Sequence, residues 1–309
     1  MSAVAEQQTR VPSPTAGASA APVQQQTVNR RRPEQGSRQE WIVVHVLYLI
    51  IVIFFFAPFL WLLTAAFDGD AVAYIRWPAQ PTFANFTYVY QNFHIGRALA
   101  NSLFISTATM LLSVVLVSLA AYSLSRLEFG LKSVVTYGVL VLQTMPLSAT
   151  MVPIYGLARD LHLRNTYLGL ILVHSAIEMP FLIWLMKGFF DTIPRYLEEA
   201  AWLDGRSKFR AWWEVVMPVA RPGIVVIAGF AFLNAWSEVL MVIILVDDPG
   251  KSTVPLAFYQ TFRSNGGYNE VNYGLVAAVG VIYVLPVIAL FFSLRKMMVR
   301  GLMSTSRGL

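Results

Sequence analysis

Six apolar runs, each long enough to cross a bilayer, constrain this chain more than anything else in it. Four carry no charge, at residues 41–67, 98–125, 133–158 and 271–294; two more, 165–186 and 222–246, carry one acid each, Glu178 and Glu238. Every run meets the roughly 20 residues needed to cross a hydrocarbon core of about 30 Å. No water is present there to satisfy backbone N–H and C=O groups, so each run has to be helical. The expected fold class is therefore all-α integral membrane, with six transmembrane helices at about 41–67, 98–122, 133–157, 166–187, 221–246 and 272–294. Pro58, Pro146, Pro153, Pro180 and Pro286 fall inside the runs and read as kinks or breaks. Composition agrees: 13% of residues are charged, about half the roughly 25% of a soluble domain.

The basic residues give the runs a direction. Of 23 Lys and Arg, 17 fall on one side of the alternating spans and six on the other. The positive-inside rule then places both termini and the segment 188–220 in the cytoplasm, with loops 68–97, 159–164 and 247–270 outside. Residues 1–40, rich in Ala, Gln, Pro, Ser and Thr and closed by Arg30-Arg31-Arg32, have too little apolar surface to order themselves and read as a disordered cytoplasmic tail. The first apolar run starts too late and is too long for a signal peptide. The membrane domain covers 41–296, and 297–309 form a second cytoplasmic tail.

Several function classes drop out. The chain has no cysteine and four histidines without metal spacing, so neither a disulfide framework nor a thiolate metal site is available. The net charge of +6 is dispersed between spans rather than gathered on one soluble face, which argues against nucleic acid as a partner. Gly250-Lys251-Ser252 looks like the end of a phosphate loop, but Leu245 stands where the earlier glycine is needed. No serine nucleophile elbow is present either, so no catalytic constellation is expected.

The segment 188–220 is the longest charged stretch between two apolar ones. Pro194 suits the first turn of a helix and Gly205 a left-handed residue just past its end, which predicts a short helix over 194–204. Ile193, Leu197, Ala200 and Ala201 share one apolar face; Arg195, Glu198, Glu199 and Trp202 make a neighbouring polar and aromatic one. Phe209, Trp212 and Trp213 suit a second short helix at the lipid interface. Pro218 and Pro222 then redirect the chain into the fifth span. On the residues alone two readings stay open: a solvated hairpin with an internal Arg195–Glu199 pair, worth about 0.2–0.5 kcal/mol, or a docking element.

Glu199-Ala200-Ala201, Asp204-Gly205, Pro218 and Pro222 resemble the "EAA" loop of ATP-binding-cassette (ABC) importer permeases. Asn101-Ser102-Leu103, the run from Ala120 through Arg126 to Phe129, Met151-Val152-Pro153 and Gly188-Phe189-Phe190 before Ile193-Pro194 are similar to the carbohydrate-uptake branch, in particular its six-span subunit of the maltose-transporter type. The resemblance covers roughly residues 41–303. It implies a type I importer permease bundle that moves a sugar inward by alternating access. It also implies a coupling helix at 194–204, built from Glu198, Glu199, Ala200, Ala201, Asp204 and Gly205 with Pro218 beyond it. By the same resemblance the partners are a second permease subunit, an ATPase dimer that binds ATP and Mg, an extracytoplasmic solute-binding protein and the lipid bilayer, with no cofactor in this chain.

The solute path is expected along Glu178, Asn234, Trp236 and Glu238. An ionised acid at mid-bilayer costs at least about 2.5–3.5 kcal/mol, so both acids should face the bundle interior or a water-filled cavity. Structural pairing and solute contact stay open for both. Asn234-Ala235-Trp236-Ser237-Glu238 departs from the family's Trp-Asn-Glu at Ser237. The outer loop residues Arg263, Ser264, Asn265, Gly266 and Gly267 are expected, by the same resemblance, to reach into the binding protein; a plain connection is the other reading. Another solute such as glycerol phosphate or a polyamine, or a self-sufficient secondary transporter, stays as the alternative.

Overall fold

A computed structural model describes the backbone of residues 38–263 and 271–305 and the side chains of 40–262 and 271–293. Residues 1–37 of the expected N-terminal tail and the loop residues Ser264, Asn265, Gly266 and Gly267 lie outside the described residues, as do the side chain of Arg263 and everything past Thr305; Arg38, Gln39 and Glu40, expected in the tail, begin the first helix instead.

The described residues are nearly all helical; their only extended pairing is an isolated bridge between Asp68 and Pro81. The helices are α1 (Arg38–Ala66), α2 (Ala84–Asn92), α3 (Ile95–Arg126), α4 (Lys132–Leu142), α5 (Leu147–Asp160) and α6 (Tyr167–Asp191). Next come α7 (Tyr196–Leu203), α8 (Lys208–Ala211), a π-helical turn (Trp212–Val216) and α9 (Met217–Val219). Last are α10 (Arg221–Ser237), α11 (Leu240–Leu245), α12 (Val254–Arg263) and α13 (Tyr273–Thr305). Four of them, α1, α3, α6 and α13, are long and apolar enough to cross a membrane unaided. The two bent pairs, α4 with α5 and Lys208–Val219 with α10, raise that number to six if each pair is one span.

Proline placement explains where the apolar runs break. Pro146 is the N-cap of α5, and α4 and α5 meet at 98°. The residue before a proline is held out of the helical region, so α4 cannot run on into α5. Pro218 and Pro222 bracket an 80° bend before α10. Pro58, Pro153, Pro180 and Pro286 stay inside α1, α5, α6 and α13. The run 222–246 is interrupted where no proline stands: Glu238 takes an extended conformation between α10 and α11. At the far end, α13 continues through 297–305, so that part of the expected tail belongs to the last helix.

Within residues 53–305, α3 and α6 lie side by side and parallel. At one end the Tyr167 hydroxyl donates to Asn101 Oδ1 at 2.9 Å; at the other the Ser125 hydroxyl donates to Asp191 Oδ1 at 2.6 Å. The buried positions of α3 include a stripe of mostly small residues, Ser102, Ser106, Thr109, Ser113, Val117 and Ala121. Small side chains at this spacing let helices approach closely where lipid removes the hydrophobic drive to associate. Asn101 also donates to the carbonyls of Gly250 and Ser252, at 3.0 and 2.8 Å, and the Ser102 hydroxyl accepts from Val254 N–H. These two residues thus tie the connection after α11 to the start of α3. The Gly250-Lys251-Ser252 sequence is part of that connection: Asp248 accepts from Gly250 N–H and pairs with Lys251 at 3.0 Å.

Helix α10 runs back antiparallel to α3 and α6. Near its start Gly223 packs on Phe189, and a Cβ added there would lie 2.6 Å from Phe189 Cγ. Overpacking of this kind costs typically 1–3 kcal/mol. Gly223→Ala should therefore lower the unfolding temperature of the purified protein, and Phe189→Ala in the same chain should restore part of the loss; a Gly223→Ala protein as stable as the parent would show that the contact is loose.

Candidate functional site

Two regions gather polar groups inside an apolar frame. The first is the junction of α3, α6 and α7. Arg126, the last residue of α3, donates from Nε to Glu198 Oε1 at 2.5 Å. The same guanidinium donates from Nη1 to Phe190 O at 3.2 Å and from Nη2 to Ile193 O at 3.0 Å. Those carbonyls belong to the end of α6 and the turn after it, where the helix dipole favours a cation; Phe190 O also accepts from Ile193 N–H at 3.1 Å. Tyr122, one turn back on α3, donates its hydroxyl to Glu198 Oε2 at 2.5 Å. Glu198 is 2% exposed and the Arg126 side chain 11%.

This arrangement changes the expected faces of α7. Glu198 turns inward with Leu197 and Ala201, while Glu199, Ala200, Trp202 and Leu203 are exposed, Leu203 at 90%. A buried carboxylate is tolerated because both of its oxygens are bonded, one of them to a cation. The internal Arg195–Glu199 pair does not form. Arg195 reaches Glu128 at 3.0 Å instead, and the hydrogen bonds from Arg195 and Lys132 hold the Glu128 carboxyl below the ordinary carboxylate range.

The end of α7 is set by Gly205, the one glycine with positive φ (+82°) among the described residues. Gly205 N–H donates to Trp202 O at 2.9 Å and Arg206 N–H to Ala201 O at 3.0 Å, the paired bonds of a left-handed helix stop. Asp204 is the exposed C-cap residue. Ser207 then caps α8 by accepting from Arg210 N–H at 3.3 Å. In the π-helical turn that follows, Trp212 is buried against Tyr122 and Phe209 while Trp213 stays exposed. Pro218 lies in the last turn before the 80° bend.

The second region is a cavity of about 720 Å³ between α4, α5, α6 and the α10–α11 break. Its wall includes Glu178, Asn234 and Glu238, together with His174, Gln143 and Ser237. Three of the four residues expected on the solute path therefore meet in one cavity. Trp236 does not: it is 1% exposed and stacks on Phe232 in the core. Glu238 has a structural job as well, since its Oε1 accepts from Met241 N–H at 3.0 Å and caps α11 across the break. Gln143 escaped the sequence reading; its signal was an amide three residues before the proline that breaks its span.

The Arg126 knot generates a direct test. Removing one partner of a buried pair leaves an uncompensated charge, which costs about 3–5 kcal/mol. Arg126→Ala and Glu198→Ala should each lower stability markedly in a detergent melt, and the double variant should lose less than the sum of the two; strictly additive losses would show the pair to be uncoupled.

With this geometry in place, comparison with known proteins is informative. Residues 113–304 match the family model described as the binding-protein-dependent transport system inner membrane component. The chain is 32% identical over 283 residues to the probable ABC transporter permease protein YurM of Bacillus subtilis, covering 90% of each. It is 30% identical to the melibiose/raffinose/stachyose import permease protein MelC of the same species, over 85% of this chain and 95% of that one. Among solved structures it resembles a chain of a bacterial ABC transporter involved in the import of the acidic polysaccharide alginate. There the TM-score is 0.72 at 21% identity, over 85% of this chain and 97% of that chain.

Proposed function

The chain belongs to the family of binding-protein-dependent inner membrane components, the permeases of ABC importers, and from this premise we propose that it carries a sugar or oligosaccharide inward by alternating access. The name of the melibiose, raffinose and stachyose permease supports the solute class. The observation that carries the mechanism is the split of α7 into an anchored face and a free one. Glu198 is fastened to α3 and α6 through Arg126, leaving Glu199, Ala200 and Leu203 exposed on a rigidly seated helix.

In this reading the free face of α7 sits in a cleft of an ATPase subunit, on the cytoplasmic side, with both termini of the chain on that side. The family's ATPase dimer binds ATP and Mg and supplies the work by closing. This chain's part is to receive that displacement at Glu199 and Ala200 and to hold the helix stop at Gly205. Arg126 passes the displacement to α3 and α6 together, because its guanidinium bonds to Glu198, Phe190 and Ile193 at once. A second permease subunit completes the bundle, and an extracytoplasmic binding protein delivers the solute to the end that carries the loop after α12. Glu178, Asn234 and Glu238 contact the solute within the cavity.

The outward face is tested without disturbing the anchor. Glu199→Ala and Gly205→Asp should abolish ATP-driven uptake by the assembled transporter, while membrane insertion and the amount of protein stay at parental levels. Uptake at the parental rate in both variants would remove the coupling role from α7.

A further inference from the structure

The cavity wall supplied by this chain is rich in acids and amides and lacks a counter-cation. Glu178 and His174 share a face of α6 one turn apart, and both are more than nine-tenths buried, at 6% and 2% exposure. Neither is satisfied: Glu178 Oε2 and His174 Nε2 have no hydrogen-bond partner among the described residues. A buried polar atom left without a partner costs of order 1–3 kcal/mol, more for a charged group, so two such atoms on one cavity wall point to a ligand that supplies the missing bonds. Glu238, Asn234, Ser237, Gln143 and Thr150 border the same space. Among the described residues lining the cavity there is no lysine or arginine.

Resting on the importer reading above, we infer that His174, Glu178 and Glu238 form a selectivity wall that accepts uncharged, polyhydroxylated solutes and turns away those bearing carboxylate or phosphate groups. Carboxyl and amide oxygens accept hydrogen bonds from solute hydroxyls, while the amide N–H groups of Gln143 and Asn234 serve the solute's oxygens. An anionic solute would enter a space of low dielectric that holds the Glu238 carboxylate and no cation from this chain, where like-charge repulsion is strongest. The cavity volume lies within the ordinary range of small-molecule sites, about 300–1,000 Å³. The structurally similar alginate transporter handles an acidic polysaccharide, so the inference separates this chain from that relative by solute charge.

The absence of cysteine makes the wall directly measurable. A single Asn234→Cys in the full assembled transporter gives one thiol on the cavity wall, and Trp77→Cys, 76% exposed on the loop after α1, gives a reference. Labelling rates are compared for trimethylammonium-ethyl and sulfonatoethyl methanethiosulfonate, a cation and an anion of similar size. The expected result is a cation-to-anion rate ratio at Asn234→Cys about tenfold above the reference, falling toward the reference when Glu238→Gln is added. Should that variant fail to assemble, Glu238→Ser, which keeps a side-chain oxygen to cap α11, should lower the ratio in its place. A ratio equal to the reference, or one unmoved by loss of the Glu238 carboxylate, overturns the inference. Tighter retention by the parental transporter of an oligogalacturonate than of a neutral malto-oligosaccharide of equal length also overturns it. Either result leaves the coupling role of α7 standing, because that role is read separately from Glu199→Ala uptake.

Discussion

The guanidinium of Arg126 holds three helices in one place. It neutralises a carboxylate buried under α7, bonds carbonyls at the end of α6 and in the turn after it, and does both from the last residue of α3. Lysine could not substitute, since its ammonium is a compact point charge and the planar fork of arginine reaches acceptors in several directions at once. The surrounding contacts follow from that placement. Tyr122 takes the second oxygen of Glu198, Ser125 is left to bond Asp191, and Lys187 closes on the other oxygen of Asp191 at 2.6 Å. A helix of eight residues has little stability of its own. Short as it is, α7 is fixed because its inward face is welded to the bundle.

The cavity is built by the opposite means, from breaks rather than bonds. Pro146 turns the third apolar run through 98°, and Glu238 opens the fifth between α10 and α11. Irregular backbone at membrane depth is tolerated only where it is covered by protein or borders a polar space. Both breaks border the same cavity, and the acid at one of them caps the helix that resumes beyond it. Polar side chains on α6 complete the wall. The chemistry of the interior is thus inseparable from the places where regular structure stops.

How much of this could be read from the residues depends on how far the relevant partners lie along the chain. Helix extents are local, set by apolar length, and the six runs show them. Gly205 is local too, and its left-handed conformation follows from the chain's need to stop α7. The inward turn of Glu198 is not local. By sequence it shares a polar face with Glu199, and what decides between them is Arg126, 72 positions earlier. Trp236 looked like a path residue because it sits between Asn234 and Glu238, yet helical geometry sends it to the opposite side, onto Phe232. Glu238 could be read as an acid that must face polar surroundings; that it caps a broken helix depends on the break itself, which no proline announces.

The pairing of α3 with α6 has a mechanical consequence. Two parallel helices bonded at both ends, by Asn101 with Tyr167 and by Ser125 with Asp191, behave as a single beam of roughly 37 Å at 1.5 Å per residue. The chain between them must travel the same distance back, and it does so through the jointed pair α4 and α5. The cavity therefore has one stiff wall and one articulated wall. In the coupling proposed above, a push delivered at the α7 end would swing the beam as a whole, and the elbow at Pro146 would be where the space between the walls gains or loses volume.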